Sequence, residues 1–274
     1  MTRRVLLCPP AYFDVRDVKN PYMQGAGPVD RKKALRQWED LRDALKDAGA
    51  HVETIQPVPG LEDMVFAANP VFVGRDKKGK FIVPSEMRFV SRQREVPHYV
   101  DWFHKRGYRV IYLDLVGECL EGHGDLLWHP DRSKIWAGYA IRSTRIGVEK
   151  FSSVMQDLGF PVLPLQLVDS RCYHLDTCFC PLNNDAVLIH PHAFSPDSLA
   201  TIREGWKRVH ELDREEANHF VCNGIVINGR YIAAHLTPGL AHILRTEGLT
   251  PVIVDTSEFE KSGGSVFCMK CFFE

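Results

Sequence analysis

The sequence predicts an α/β fold of about five ββαβ units arranged in a closed radial ring. Three observations point there. A phrase of amphipathic helix, glycine and short β-rich run recurs along the chain. Paired apolar segments bounded by turn residues lie between successive helices. The units also repeat at roughly 50 residues, and such repetition signals a modular architecture rather than an open doubly wound sheet. No Gly-rich phosphate loop follows the first strand, which runs into Cys8-Pro9-Pro10, so a dinucleotide-binding fold has little support.

Taken in order, residues 35–48 read as the first helix, Gly49 ends it, and residues 51–55 follow as a strand. The phrase recurs at 99–106, Gly107 and 109–113, then at 145–158, Gly159 and 161–165. Its last copy is 238–247, Gly248 and 251–254. Glycine just past a helix adopts the left-handed cap that other residues resist, so each copy marks a helix end feeding a strand. The four glycines are 58, 52 and 89 residues apart. The long gap leaves room for one more unit without a glycine cap, and a helix over 196–212, ending in Asp213-Arg214-Glu215-Glu216, fills it.

Between the helices, residues 64–73 pair with 80–84 and residues 125–129 with 134–139. Residues 176–181 pair with 186–191, and 220–227 with 230–235. Asn183-Asn184-Asp185 and Asn228-Gly229 are residue types that accept the positive φ of tight hairpin turns. No linker or low-complexity stretch interrupts the chain, so residues 1–274 are expected to form one domain.

Composition narrows the function. Hydrophobic residues make up 45% and charged residues 25% of the chain, which excludes disordered, collagen-like and coiled-coil classes. Lys plus Arg (34) nearly cancels Asp plus Glu (35), so the basic excess of a nucleic-acid binder is missing. Arg31-Lys32-Lys33 and Lys77-Lys78 are short, and each follows an aspartate. No apolar run approaches the roughly 18 to 20 residues that span a bilayer. Val5-Leu6-Leu7 falls short of the about 7 to 15 residues of a signal core. A cytoplasmic protein with a small-molecule partner is expected, with no nucleic acid and no membrane; a homo-oligomer is compatible with all of this. The eight cysteines are expected as thiols, because a chain of this length buries a sufficient core without disulfides.

Four places combine residue types capable of chemistry. Ser262-Gly263-Gly264-Ser265-Val266-Phe267-Cys268 sets a cysteine after paired glycines, where backbone can approach a ligand closely. A buried cysteine in the final strand is the plain alternative. A Cys-x-x-Cys site from Cys268 and Cys271 is another, disfavoured because residues three apart in a strand face opposite sides. In Arg171-Cys172-Tyr173-His174-Leu175-Asp176-Thr177, His174 and Asp176 share one face if the backbone is extended. One could carry a proton and the other bind a cation. Cys172, His174, Cys178 and Cys180 also have the look of zinc ligands, but a chain of this size needs no structural metal.

Glu121-Gly122-His123-Gly124-Asp125 places acids among glycines at a strand entrance. In Phe66-Ala67-Ala68-Asn69-Pro70 an amide interrupts an apolar run. Arg92 and Arg142 could clamp a carboxylate, or equally be surface arginines. Singly these signals are weak. Together they fall at the entrances and exits of hairpins in successive units, and in a closed ring those places converge on the axis.

The constellation resembles the guanidino-group modifying superfamily, the pentein α/β-propellers with pseudo-fivefold symmetry. That superfamily includes arginine deiminases, dimethylarginine dimethylaminohydrolases, amidinotransferases and arginine dihydrolases. The resemblance covers essentially the whole chain. It rests most heavily on Tyr173-His174-Leu175-Asp176-Thr177, on Glu121 to Asp125, and on the Gly263-Gly264 turn leading to Cys268. It implies Cys268 as nucleophile, His174 as general acid/base, and Glu121 as the acid that positions the guanidinium and supports the histidine. It further implies Asp176 as a second guanidinium-binding carboxylate and Arg92 and Arg142 as holders of the substrate α-carboxylate. No metal or organic cofactor is implied.

Pro9-Pro10 and Val18-Lys19-Asn20-Pro21-Tyr22-Met23 resemble the arginine dihydrolase subgroup, in which the residue matching Asn20 touches substrate. Deiminases typically carry aspartate where this sequence has Asn69. An amide can accept from a guanidinium and also donate to a ureido oxygen, so a citrulline-like product could stay for a second hydrolysis. Arginine dihydrolase is therefore the expected activity, giving ornithine, carbon dioxide and two ammonia. Single hydrolysis of arginine or methylarginine, amidino transfer to an amine, and a non-catalytic arginine-binding module are the alternatives.

Overall fold

A computed structural model of the chain describes residues 3–213, 216 and 220–274. Among these residues, fifteen strands form five three-stranded sheets. One sheet joins β1 (Arg4–Leu7), β2 (His51–Thr54) and β15 (Lys270–Phe273), so both ends of the chain share a blade. The second holds β3 (Val71–Asp76), β4 (Gly79–Pro84) and β5 (Arg109–Val110). The third holds β6 (Leu126–Trp128), β7 (Ile135–Tyr139) and β8 (Val162–Gln166). In the fourth lie β9 (Phe179–Pro181), β10 (Ala186–Ile189) and β11 (Arg208–Glu211). The fifth consists of β12 (Ile225–Ile227), β13 (Arg230–Ala233) and β14 (Thr250–Ile253). In every blade the middle strand runs antiparallel to the inner one and parallel to the outer one.

Each parallel step is bridged by a helix of two turns or more, Arg31–Asp47, Val96–His104, Arg145–Asp157, Pro196–Gly205 or Pro238–Thr246, the second preceded by the single turn Val90–Gln93. Side chains of Asp30, Thr144, Ser195 and Thr237 accept from backbone N–H groups three residues on. They satisfy donors that a helix start otherwise leaves open.

The ring is legible in how the strands divide their side chains. Leu6 packs with Val71, Val73 and Ile82 of the second blade, whereas Val5 and Leu7 pack with Ile225, Ile227 and Ile232 of the fifth. Phe72, Phe81 and Val83 turn the other way, onto Leu126, Ile135 and Ala137 of the third blade. The third and fourth blades meet through Leu127, Trp136, Val187 and Ile189, and the fourth and fifth through Ala186, Leu188, Tyr231 and Ala233. Successive side chains of a strand point to opposite faces, so each sheet fills two wedges. Strands buried on both faces read as continuous apolar runs, and five wedges close the circle.

Several element bounds differ from the sequence expectation. The helix expected over 196–212 ends at Gly205, and Arg208–Glu211 is instead the outer strand of the fourth blade. Gly205 is the last helical residue and lacks a positive φ, so this unit indeed does without a glycine cap. Arg214 and Glu215 of the expected helix end lie outside the described residues. The inner strands also begin later than their apolar runs. Residues Glu62–Val65, Gly122–Asp125 and Leu175–Thr177 are single helical turns, and Cys268 sits in a turn ahead of β15. The extended-backbone argument for His174 and Asp176 is therefore corrected, as is that for Cys268 and Cys271. What separates the two cysteines is packing: Cys268 belongs to the wedge between the fifth and first blades, Cys271 to that between the first and second.

Among the described residues no helix is long and apolar enough to cross a membrane. All eight cysteines are free thiols. No group of three or more His, Cys, Asp or Glu side chains among the described residues is placed to hold a metal ion.

Candidate active site

The turns ahead of the inner strands meet at one end of the ring, around a narrow cavity of about 20 Å³. Cys268, His174, Asn69, Asn20, Arg92 and Arg142 all line it, together with Lys19, Asp63, Phe66, Tyr173 and Ser262. Six sequence-predicted residues from distant parts of the chain thus share one wall. Glu121 and Asp176 stand directly behind them.

Cys268 is 2% exposed. Its thiol donates to Asp176 Oδ2 at 3.2 Å, and Asn223 Nδ2 donates to the sulfur at 3.2 Å. Burial pushes the thiol well above its ordinary pKa, and the Asp176 charge pushes it the same way. Burial likewise raises Asp176 to about 7, against hydrogen bonds from Cys268 and Asn223 and the charge of Lys270. Burial thus disfavours a thiolate beside the Asp176 carboxylate. A guanidinium arriving between them would favour thiolate and carboxylate together, because an opposite charge nearby stabilises the ionised form.

Glu121, 0% exposed, is the hub of the other half. Its Oε2 meets His174 Nε2 at 2.6 Å and accepts from Arg142 Nη1 at 3.1 Å, while Oε1 accepts from the Arg88 amide at 2.9 Å. Burial alone would raise this carboxyl, but Arg142 and the His174 hydrogen bond hold it well below the usual range. The histidine ring is thereby fixed in direction. Gly124 makes room for it: a Cβ there would stand 2.3 Å from Asn69 Nδ2 and 3.1 Å from the His174 ring.

The two arginines are already engaged. Arg92 pairs with buried Glu95 at 3.0 Å and donates through Nη1 to Asn69 Oδ1 at 3.0 Å. Arg142 also donates to the Lys19 carbonyl at 3.0 Å and lies against the rings of Phe89 and Tyr173. Asn20 donates to the Ser262 carbonyl at 2.9 Å, so it braces the turn before Cys268. Gly263 in that turn has φ +81°, and a Cβ would meet Asn20 at 2.6 Å.

Sequence reasoning missed three residues of this site. Asn223 accepts from the Phe267 and Cys268 amides at 3.1 and 3.3 Å and donates to the Asp176 carbonyl at 3.0 Å. Lys19 and Asp63 form a buried ion pair at 3.1 Å on the cavity wall. The hairpin-entrance rule applied to the fifth unit would have found Asn223, which precedes β12. Nothing in the pattern around Lys19 or Asp63 distinguishes them from surface charges.

Comparison with known proteins gives a consistent picture. The family model for N,N dimethylarginine dimethylhydrolase, eukaryotic, matches residues 10–272. An N(G),N(G)-dimethylarginine dimethylaminohydrolase of Mycobacterium tuberculosis is 35% identical over 267 residues, covering 97% of this chain and 84% of that protein. The bifunctional arginine dihydrolase/ornithine cyclodeaminase ArgZ of Synechocystis is 35% identical over 274 residues, covering 97% of this chain and 37% of that protein. The crystal structure of the N-terminal domain of ArgZ bound to substrate superposes with a TM-score of 0.91 at 32% identity, covering 98% of this chain and 97% of that one.

Proposed function

The chain belongs to the dimethylarginine dimethylaminohydrolase family of guanidino hydrolases, and from that premise we propose that it is an arginine dihydrolase, hydrolysing L-arginine twice. The observation that carries this reading is the state of Asn69. Arg92 has only donors, so the atom of Asn69 that faces it must be the oxygen. The Asn69 Nδ2 is consequently turned away from Arg92, and it is buried without a hydrogen-bond partner among the described residues. An unpaired buried amide donor costs stability, and a ureido oxygen would satisfy it. A donor there suits a neutral citrulline better than an aspartate would.

The chemistry follows from the residues in place. Cys268 as thiolate attacks the guanidinium carbon, and His174 protonates the departing ammonia. The covalent carbon–sulfur intermediate is then attacked by a water that His174 deprotonates, and Cys268 leaves as thiolate. Citrulline held by the Asn69 amide undergoes a second attack and a second hydrolysis. The balance is arginine and two waters to ornithine, carbon dioxide and two ammonia. Asp176 binds the guanidinium beside the thiolate; Glu121 orients His174. Arg142 faces the substrate carboxylate through a guanidinium whose Nε makes no hydrogen bond among the described residues, and Asn20 holds the rim. Arg92, with its nitrogens taken by Glu95, Asn69 and the Asp63 and Phe66 carbonyls, braces Asn69 instead.

The deciding experiment is the product balance from L-arginine with Cys268→Ser as control. Ornithine with two ammonia per arginine, absent in the control, is the expected result. Citrulline with one ammonia would replace this reading with a single hydrolysis. Turnover only of N-methylated arginines would align the chain with the activity named for its M. tuberculosis relative.

A further inference from the structure

The end of the ring opposite Cys268 opens into a second and much larger cavity, of about 1220 Å³. Its deepest charge is Lys270, 1% exposed, whose ammonium lies 3.0 Å from the centre of the Phe267 ring and 4.5 Å from that of Phe272. The Arg3 guanidinium approaches the same Phe272 ring at 5.2 Å. Among the described residues neither cation has a carboxylate within ion-pair distance. Of the two acids on the wall, Glu274 pairs with Arg75, itself on the wall, at 2.7 Å, and Asp185 with Lys207 at 3.0 Å. Arg132, also on the wall, comes only to 4.0 Å of Glu274. Burial pushes Lys270 down to about 7, against the charges of Cys271, Asp176 and Cys268, which favour its ammonium, while Arg3 opposes it.

Glu274 is shared by Arg75 and Arg132, and no carboxylate pairs with Lys270 or Arg3 among the described residues; such an excess of like charge is unfavourable, and an anion relieves it. We propose that this cavity is a second ligand site, separate from the arginine pocket, that takes a small anion carrying more than one phosphate group. Guanidinium forks match phosphate oxygens, and a lysine serves as a point charge beside them. Lys270, Arg3 and Arg132 together exceed what one singly charged carboxylate would balance. The space also exceeds what an inorganic phosphate fills, being above the roughly 300–1,000 Å³ of common organic ligand pockets. Trp128 and Phe272 on its wall offer apolar surface for an organic part.

The test is calorimetric titration of the whole chain with sodium pyrophosphate at fixed ionic strength, with and without saturating ornithine. Binding is expected in both cases, because the site lies away from Cys268. Affinity should fall about tenfold or more in Lys270→Met, the loss expected for a charge-assisted contact. Arg3→Gln, at the exposed rim, should weaken binding in the same direction while leaving arginine turnover unchanged, which guards against misfolding of the buried variant. Adenosine triphosphate binding tighter than pyrophosphate would assign the site to a nucleotide, and equal binding to the phosphates alone; either supports it. No binding of either probe, displacement by ornithine, or affinity unchanged in both variants would overturn the proposal.

Discussion

His174 Nε2 lies 2.6 Å from Glu121 Oε2, and the two residues occupy the same place in adjacent blades, each five residues ahead of its inner strand. Asn69, Asn223 and Cys268 share a second place, each two residues ahead of β3, β12 and β15. Five equivalent turns thus deliver an acid, an imidazole, two amides and a thiol to one end of the axis. Pseudo-fivefold symmetry does the gathering, and substitution at two registers supplies the chemistry.

Glu121→Gln removes the charge that Arg142 and His174 both face. Turnover is expected to fall by roughly 100-fold or more, in line with the loss of a positioned acid/base group, with a smaller change in KM. Because Glu121 is depressed in the folded state, its stabilisation is present above the ordinary glutamate value and is lost as pH falls toward the folded one. Melting temperatures of wild type and variant should therefore converge as pH falls below about 4. Parallel curves at every pH would refute the charge argument.

Asp176→Asn separates nucleophile activation from substrate binding. The Asp176 charge raises the Cys268 pKa, so alkylation by iodoacetamide in the variant should move to lower pH while arginine turnover collapses. The linkage has its own sign. A carboxyl raised to about 7 in the folded state makes the wild type progressively less stable as pH rises from about 4 to 7. The variant should gain thermal stability over wild type at pH 8 relative to pH 5.

Asn223→Ala leaves the Cys268 amide and the Asp176 carbonyl without their side-chain partner, while the Phe267 amide keeps the carbonyl of residue 223 at 2.9 Å. A cost of about 2 kcal/mol is expected for such buried polar groups, read as a lower denaturation midpoint. The thiol should also lose its fixed direction, so kcat falls more than KM rises. An unchanged alkylation profile with normal turnover would reduce Asn223 to a bystander.

How much of this was legible in the sequence follows from the physics of each signal. Helix-capping glycines and Asn-Gly turns are local, so Gly49, Gly107, Gly159, Gly248 and Asn228-Gly229 placed the units without tertiary information. The turns that carry the candidate site were harder. Residues such as Val65 and Val221 are apolar and buried, and that made the turns look like the first residues of strands. The strand at Arg208–Glu211 was hidden for the opposite reason: Arg208 and Glu211 face solvent at an outer edge, so no apolar alternation marks it. Lys19 and Asp63 are recognisable only as a pair, and the fold alone brings them together.

Asn69→Asp tests the step that distinguishes double from single hydrolysis. Aspartate keeps the acceptor for Arg92 but replaces the amide donor with a second oxygen. That oxygen favours a cationic guanidinium and repels a ureido carbonyl, so arginine should still be attacked once while citrulline is released before a second attack. The expected outcome is citrulline with one ammonia per arginine, with direct hydrolysis of added citrulline lost. Ornithine formed without citrulline would show that the Asn69 donor does not hold the intermediate product. Loss of both reactions, with the fold intact by melting temperature, would place the residue in the first attack instead.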